Sequence, residues 1–233
     1  MFKLKNKNIN IQFSALNLSI YKNLSQKEEN DFLASYNLPN DLFSFDKIKS
    51  VAPRHEKITK NQLGPINILV FSNIQSTTPL TDVETRLETH VFIFSEDESF
   101  WFIKDSYSNL YDELVSSHLE DIHTIKDLIL CATLLTYRNF IQELDNHKQR
   151  INYLSKQANL QTNNQILKEV TETEKNLVIL EHIIETQEIA IDSLKKFEQF
   201  DDNELLQKVN RYQNQVNRLV HVYRDVFDAV SSL

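Results

Sequence analysis

Glu204–Leu233 reads ELLQKVNRYQNQVNRLVHVYRDVFDAVSSL. Leu205, Val209, Tyr212, Val216, Leu219, Tyr223, Val226, Val230 and Leu233 follow one another at alternating steps of four and three. A 3.5-residue period keeps one apolar edge of a helix turned toward a partner helix. Helices usually close with a Gly or Asn cap and polar punctuation. Here neither Gly nor Pro follows, and Leu233 is itself a seam position. The spacing predicts a helix that continues beyond Leu233.

Two more such helices precede it. Thr124 and Asp127 form a capping box, and Leu130, Leu134, Tyr137, Ile141, Leu144 and Ile151 then share one seam. Gln161–Asn164 interrupts it. The next helix carries Ile166, Val170, Leu177, Leu180, Ile184, Ile191 and Leu194, with Thr173 and Gln187 in two polar slots. Asp201 and Glu204 open the third. Helices joined by short polar turns pack antiparallel, because each alone would leave its stripe wet.

The preceding half obeys a different period. Ile9, Ile11 and Phe13 alternate with polar residues as in a strand, and Leu18–Tyr21 makes a second short one. Ser25 and Glu28 form a capping box for a helix through Phe32, Leu33 and Tyr36, stopped by Asn37-Leu38-Pro39-Asn40. Asp41–Ile48 reads as a short helix and Ile66–Phe71 as a buried strand after Gly64 and Pro65. Asn73–Asp82 reads as a loop. Thr89–Phe94 and Phe100–Ile103 form a hairpin around Ser95-Glu96-Asp97-Glu98-Ser99. The fold class expected is α+β: an N-terminal α/β sandwich domain over residues 1–120, then a stalk of three long antiparallel helices over residues 121–233.

Bulk composition narrows the function classes. A net charge of -8 argues against nucleic acid and an anionic membrane surface as partners, and leaves cations and basic proteins. No run approaches the ~20 apolar residues of a bilayer span. The N-terminus lacks the apolar core of a signal peptide. The chain reads as soluble and cytoplasmic. Cys131, the single cysteine, lies in an apolar helical run and reads as a buried small hydrophobe. There is no phosphate-binding Gly-rich loop, G-x-S-x-G, H-E-x-x-H or Cys–His pairing, so no enzyme is expected.

Acidic residues carry the strongest polar pattern. Glu181, Glu185, Glu188 and Asp192 follow steps of four, three and four, and no Lys or Arg lies between the first and the last. Like charges at such spacing cost a helix about 0.2–0.5 kcal/mol per pair. A hard cation relieves that repulsion, and Mg2+ commonly keeps its waters while touching one or two carboxylates. A solvated acidic face accounts for the same pattern. Asp201, Asp202 and Glu204 form a second cluster, open to metal binding or to helix capping. His118, Glu120, Asp121 and His123 lack a zinc spacing and read as a polar hinge.

Four segments, taken in order, resemble CorA-type magnesium and cobalt transporters. Ile20-Tyr21-Lys22-Asn23-Leu24-Ser25-Gln26-Lys27-Glu28-Glu29 is similar to that family's opening strand and capped acidic helix. Pro53-Arg54-His55-Glu56-Lys57-Ile58 resembles the lead into its next strand. Glu174-Lys175-Asn176-Leu177-Val178 resembles a stalk stretch, and Val222-Tyr223-Arg224-Asp225-Val226 the segment before the first membrane span. The resemblance implies an αβα domain, stalk helices leading into a membrane pore, and a homopentamer on the cytoplasmic face of the cell membrane. It also implies regulatory Mg2+, with Co2+ among the ions of the family. The family's Gly-Met-Asn signature is absent, since Gly64 and Met1 are the only residues of their kinds. The expectation is a regulatory, magnesium-sensing domain lacking its membrane helices; the alternative is a freestanding coiled-coil scaffold with a small α/β head.

Overall fold

A computed structural model describes residues 16–39, 42–43, 53–59, 64–75, 82–104, 108–160, 164–198, 200 and 203–231. The strand expected over Ile9–Phe13 lies outside these residues. So do all of the Asp41–Ile48 helix but residues 42 and 43, most of the turn over residues 161–164, Asp201, Asp202 and Leu233.

Five strands form one sheet: β1 (Leu18–Lys22), β2 (Arg54–Ile58), β3 (Ile66–Ile74), β4 (Leu87–Phe94) and β5 (Ser99–Ile103), in the order β1-β5-β4-β3-β2. β1 runs parallel to β5 and every other pairing is antiparallel. The β4–β5 hairpin forms as its two aromatic and β-branched runs predict. Successive strand residues point to opposite faces. Ile68, Val70, Val91, Ile93, Phe100 and Phe102 lie on the face covered by α1 (Gln26–Tyr36) through Phe32 and Leu33. Leu69, Phe71, Phe92, Phe94 and Trp101 lie on the opposite face.

That second face is covered by α3 (Asn109–Ser117), α4 (Ile125–Leu160) and α5 (Asn164–Phe197), whose Leu110, Leu114, Leu128, Ala132, Ala190 and Leu194 join the same core. The result is the expected αβα layering. The head and the foot of the stalk share one hydrophobic core, so the segments before and after residue 120 are held together by burial rather than by a linker. α6 (Glu204–Ser231) completes the stalk.

The caps of α1 and α4 form where the sequence places them, whereas the α6 cap is Asn203 rather than the Asp201 expected. Ser25 and Glu28 close a reciprocal capping box, and Asn37 ends α1 in the left-handed conformation at φ 53°. Asp127 accepts from the Thr124 N–H at 2.8 Å while Thr124 Oγ1 accepts from the Asp127 N–H at 3.1 Å. α6 is capped by Asn203, whose Oδ1 accepts from the Leu206 N–H at 2.9 Å.

One further reading needs correction. Asn73 and Ile74 belong to β3 rather than to a loop. The strand persists because Ile74 drops into the stalk core and the buried Asn73 amide finds partners in Glu88 and Asn139. The three long helices pack antiparallel in chain order, as expected. α5 opposes both neighbours, pairing Arg150 with Glu169 and Arg224 with Glu181. α4 and α6 therefore run the same way, and Tyr223 meets Asp145 beside them.

The seam read along α6 divides in two. Val209, Val216 and Tyr223 are buried, together with Gln213, Val220 and Phe227. Tyr212 and Leu219 are only half-buried, and Val226 is 41% exposed. α6 wedges against two helices at once, which takes a face wider than a single coiled-coil edge. A second row, Leu219, Val222, Val226 and Ala229, lies roughly 100° around the helix.

Candidate functional site

The acidic stripe of α5 borders α6. Glu181 Oε2 lies 3.8 Å from Arg224 Nη1. Glu188 accepts from Gln213 Nε2 at 3.0 Å and from Asn217 Nδ2 at 2.7 Å. Asp192 Oδ1 lies 3.3 Å from Lys195 Nζ and accepts from Gln213 Nε2 at 3.4 Å. Glu185 is exposed. The like-charge repulsion legible in the sequence is thus offset by Lys195 one turn on along α5 and, across the seam, by Arg224, Gln213 and Asn217 of α6.

This arrangement bears on metal binding. A hard cation needs several oxygens converging on one point. The stripe extends over about 16 Å of helix rise, and three of its four carboxylates are engaged by protein donors, Glu188 and Asp192 sharing Gln213. Among the described residues no group of three or more His, Cys, Asp or Glu side chains is placed to hold an ion. The four carboxylates therefore do not fit a closed metal cage within one chain. Asp201 and Asp202 lie outside the described residues. In the junction cluster, His118 Nδ1 lies 3.3 Å from Asp121 Oδ2, as a local polar contact.

Sequence reasoning missed a buried polar hub where the sheet meets the stalk. Glu88, on β4, is 1% exposed. It accepts from Asn73 Nδ2 at 3.1 Å, Gln75 Nε2 at 2.8 Å, Ser108 Oγ at 3.3 Å and the Asn109 N–H at 3.0 Å. Trp101 Nε1 donates to His90 Nδ1 at 3.3 Å, and His90 Nε2 faces Glu88 at 3.4 Å. Burial opposes the charge on Glu88, but the His90 contact and the surrounding donors outweigh it and hold the carboxyl at about 2. Asn139 of α4 donates to Asn73 Oδ1 at 3.0 Å and carries the network into the stalk.

One turn further along α4, Glu143 forms a bidentate pair with Arg86 of the short helix α2 (Val83–Arg86). His147 Nε2 lies 3.1 Å from the same carboxylate. All three side chains are buried. A signal was present: Asn139, Glu143 and His147 recur at four-residue steps, a polar row on a helix that is otherwise apolar on that side. Cys131 is buried and unpaired to another cysteine, and burial followed by the Asp121 and Asp127 charges pushes its thiol up to about 12. That agrees with an inert core residue.

The outer face of α6 leaves a row of apolar side chains open. Val222 is 44% and Val226 41% exposed, with the exposed Ala229 and half-buried Leu219 in line. No helix among the described residues is long and apolar enough to cross a membrane.

No family model matches the sequence. No curated protein matches it either. Solved structures do match. The ZntB cytoplasmic domain from Vibrio parahaemolyticus superposes with a TM-score of 0.65 at 12% identity, over 92% of this chain and 84% of that one. The soluble domain of CorA from Methanocaldococcus jannaschii gives a TM-score of 0.67 at 11% identity, over 99% of this chain and 92% of that one. The complete CorA magnesium transporter from the same organism gives 0.66 at 11% identity, over 92% of this chain and 68% of that one. Sheet order, αβα layering and long stalk helices together give this chain the fold of the CorA-type cytoplasmic domain.

Proposed function

We propose that this chain is the regulatory domain of a CorA-like divalent-cation transporter and that copies of it associate through the outer face of α6. The observation that carries the proposal is the row Leu219, Val222, Val226 and Ala229, an apolar stripe left wet on a helix already packed on its other side. Exposed stripes of this kind are buried by association. In this reading α6 transmits head movements along the stalk toward a pore, at the cytoplasmic face of the membrane. The homopentamer of the family is the assembly proposed.

Mg2+ enters as the proposed effector, with Co2+ a further ion of the class. The described residues of one chain form no cage, and the proposed ion sits between copies, with the exposed Glu185 as one contact and Asp201 and Asp202 as others. A cation bound more tightly in one arrangement of the copies shifts the population toward it.

Sedimentation of the chain with and without millimolar MgCl2 tests this. Concentration-dependent assembly, strengthened by Mg2+ and abolished by V222D/V226D, supports the proposal. A monomer at high protein concentration in both conditions refutes it. Assembly with no response to Mg2+ in wild type or in E185Q favours the freestanding coiled-coil scaffold.

A further inference from the structure

One polar junction between α5 and α6 is organised around a cation, and the cation is Lys195. Its ammonium donates to Asn210 Oδ1 at 2.8 Å and Gln213 Oε1 at 3.2 Å, and lies 3.3 Å from Asp192 Oδ1. One carboxylate and two amide carbonyls, drawn from two helices, thus converge on one positive atom. The side chain of Lys195 is only 20% exposed, and Gln213 is buried. Gln213 is oriented in turn by giving its Nε2 to Glu188 at 3.0 Å, and Glu188 is fixed from its other side by Asn217 Nδ2 at 2.7 Å.

Carboxylate and amide carbonyl oxygens are the ligands that hard metal ions take. We propose that this cluster is a cation seat whose occupant is the chain's own ammonium, so that Lys195 stands where a divalent ion would otherwise bridge α5 and α6. A tethered cation cannot dissociate, and its effective concentration does not vary with the metal content of the solution. The α5–α6 seam therefore stays closed without metal. This refines the transporter reading by removing Glu188 and Asp192 from any surface that responds to Mg2+ and leaving that response to groups outside the seam. It rests on contacts within one chain, so it stands or falls separately from self-association.

The seat also predicts its own preference once emptied. Three oxygens drawn from two helices without octahedral order suit Ca2+, which coordinates flexibly at about 2.3–2.6 Å, better than Mg2+, which requires near-ideal octahedral geometry at about 2.1 Å. Replacing Lys195 by Met keeps most of the aliphatic stem and removes the charge.

The experiment follows hydrogen exchange along α5 and α6 together with Tm, in EDTA and in millimolar CaCl2 or MgCl2. Wild-type protection at residues 188–195 and 210–217 is expected to be the same in EDTA and in CaCl2. K195M is expected to lose that protection and to fall in Tm by about 3 °C or more, with both recovered by CaCl2 and less by MgCl2. D192N/K195M, lacking the carboxylate, is expected not to recover. Loss of wild-type protection in EDTA overturns the proposal, as does a folded K195M with no response to CaCl2. If K195M fails to fold in EDTA, refolding in CaCl2 decides: recovery supports the seat and continued failure overturns it.

Discussion

Gln187 Oε1, on α5, accepts the backbone N–H of Ser72, on β3, at 2.9 Å, with both residues fully buried. The pairing of β2 with β3 ends at Val70, opposite Arg54, so β3 outruns its neighbour and the stalk supplies the missing acceptor. A helix side chain thus continues the edge of the sheet. Q187L is expected to leave that N–H unsatisfied and to cost about 1–3 kcal/mol in urea denaturation. The Ser72 amide should also exchange faster relative to its β3 neighbours. An unchanged midpoint with unchanged exchange would show that the bond contributes nothing.

The Arg86–Glu143 pair joins α2 to α4 away from water. Removing one partner of such a pair strands a buried charge, at about 3–5 kcal/mol. R86M should therefore be strongly destabilising, while R86M/E143L should recover most of the loss because both charges leave together. A double variant no more stable than R86M would indicate that shape, rather than charge, governs the site.

Glu143 also predicts an acid limb. Burial works against its charge, but the Arg86 hydrogen bonds, the His147 contact and the Arg86 charge prevail and lower the carboxyl from 4.5 to about 2. A depressed folded value contributes stability that is complete above the unfolded value and lost as pH falls. The window runs from about pH 4.5 down to about 2, and the contribution is on the order of 3 kcal/mol. E143Q should flatten the stability profile across that window, measured by urea midpoints at successive pH values. A wild-type profile that is flat there would contradict the assignment.

Tyr223 ties α6 to α4 through a 2.8 Å hydrogen bond to Asp145 Oδ1. Burial, then that bond and the carboxylate charge, push the phenol up from 10.0 to about 12. The corresponding stability is present below pH 10 and lost as pH rises through about 12. In NMR of labelled tyrosine, D145N should bring the Tyr223 titration back toward 10. Y223F should lower stability at neutral pH by about 1 kcal/mol. A Tyr223 resonance that titrates the same way in D145N would remove Asp145 as a cause.

Local periodicity and capping chemistry made much of this fold legible. The reciprocal boxes at Ser25/Glu28 and Thr124/Asp127, the aromatic and β-branched runs of Thr89–Phe94 and Phe100–Ile103, and the three long heptad helices are all patterns among residues near in sequence. Their geometry is set by the 3.6 and 2.0 periods of the backbone. The acidic stripe of α5 was equally visible as a face.

Other features depended on which face met which neighbour. Heptad spacing could not tell that the α6 seam divides between a buried row and an exposed row, because that depends on α4 and α5 flanking it together. Nor could it show that Glu188 and Asp192 are met by Gln213 and Lys195, or that Glu88 gathers donors from three elements. Single-helix patterns record an apolar or charged face; only packing assigns that face a partner, because the free energy of burying a polar group depends on donors and acceptors brought from distant parts of the chain.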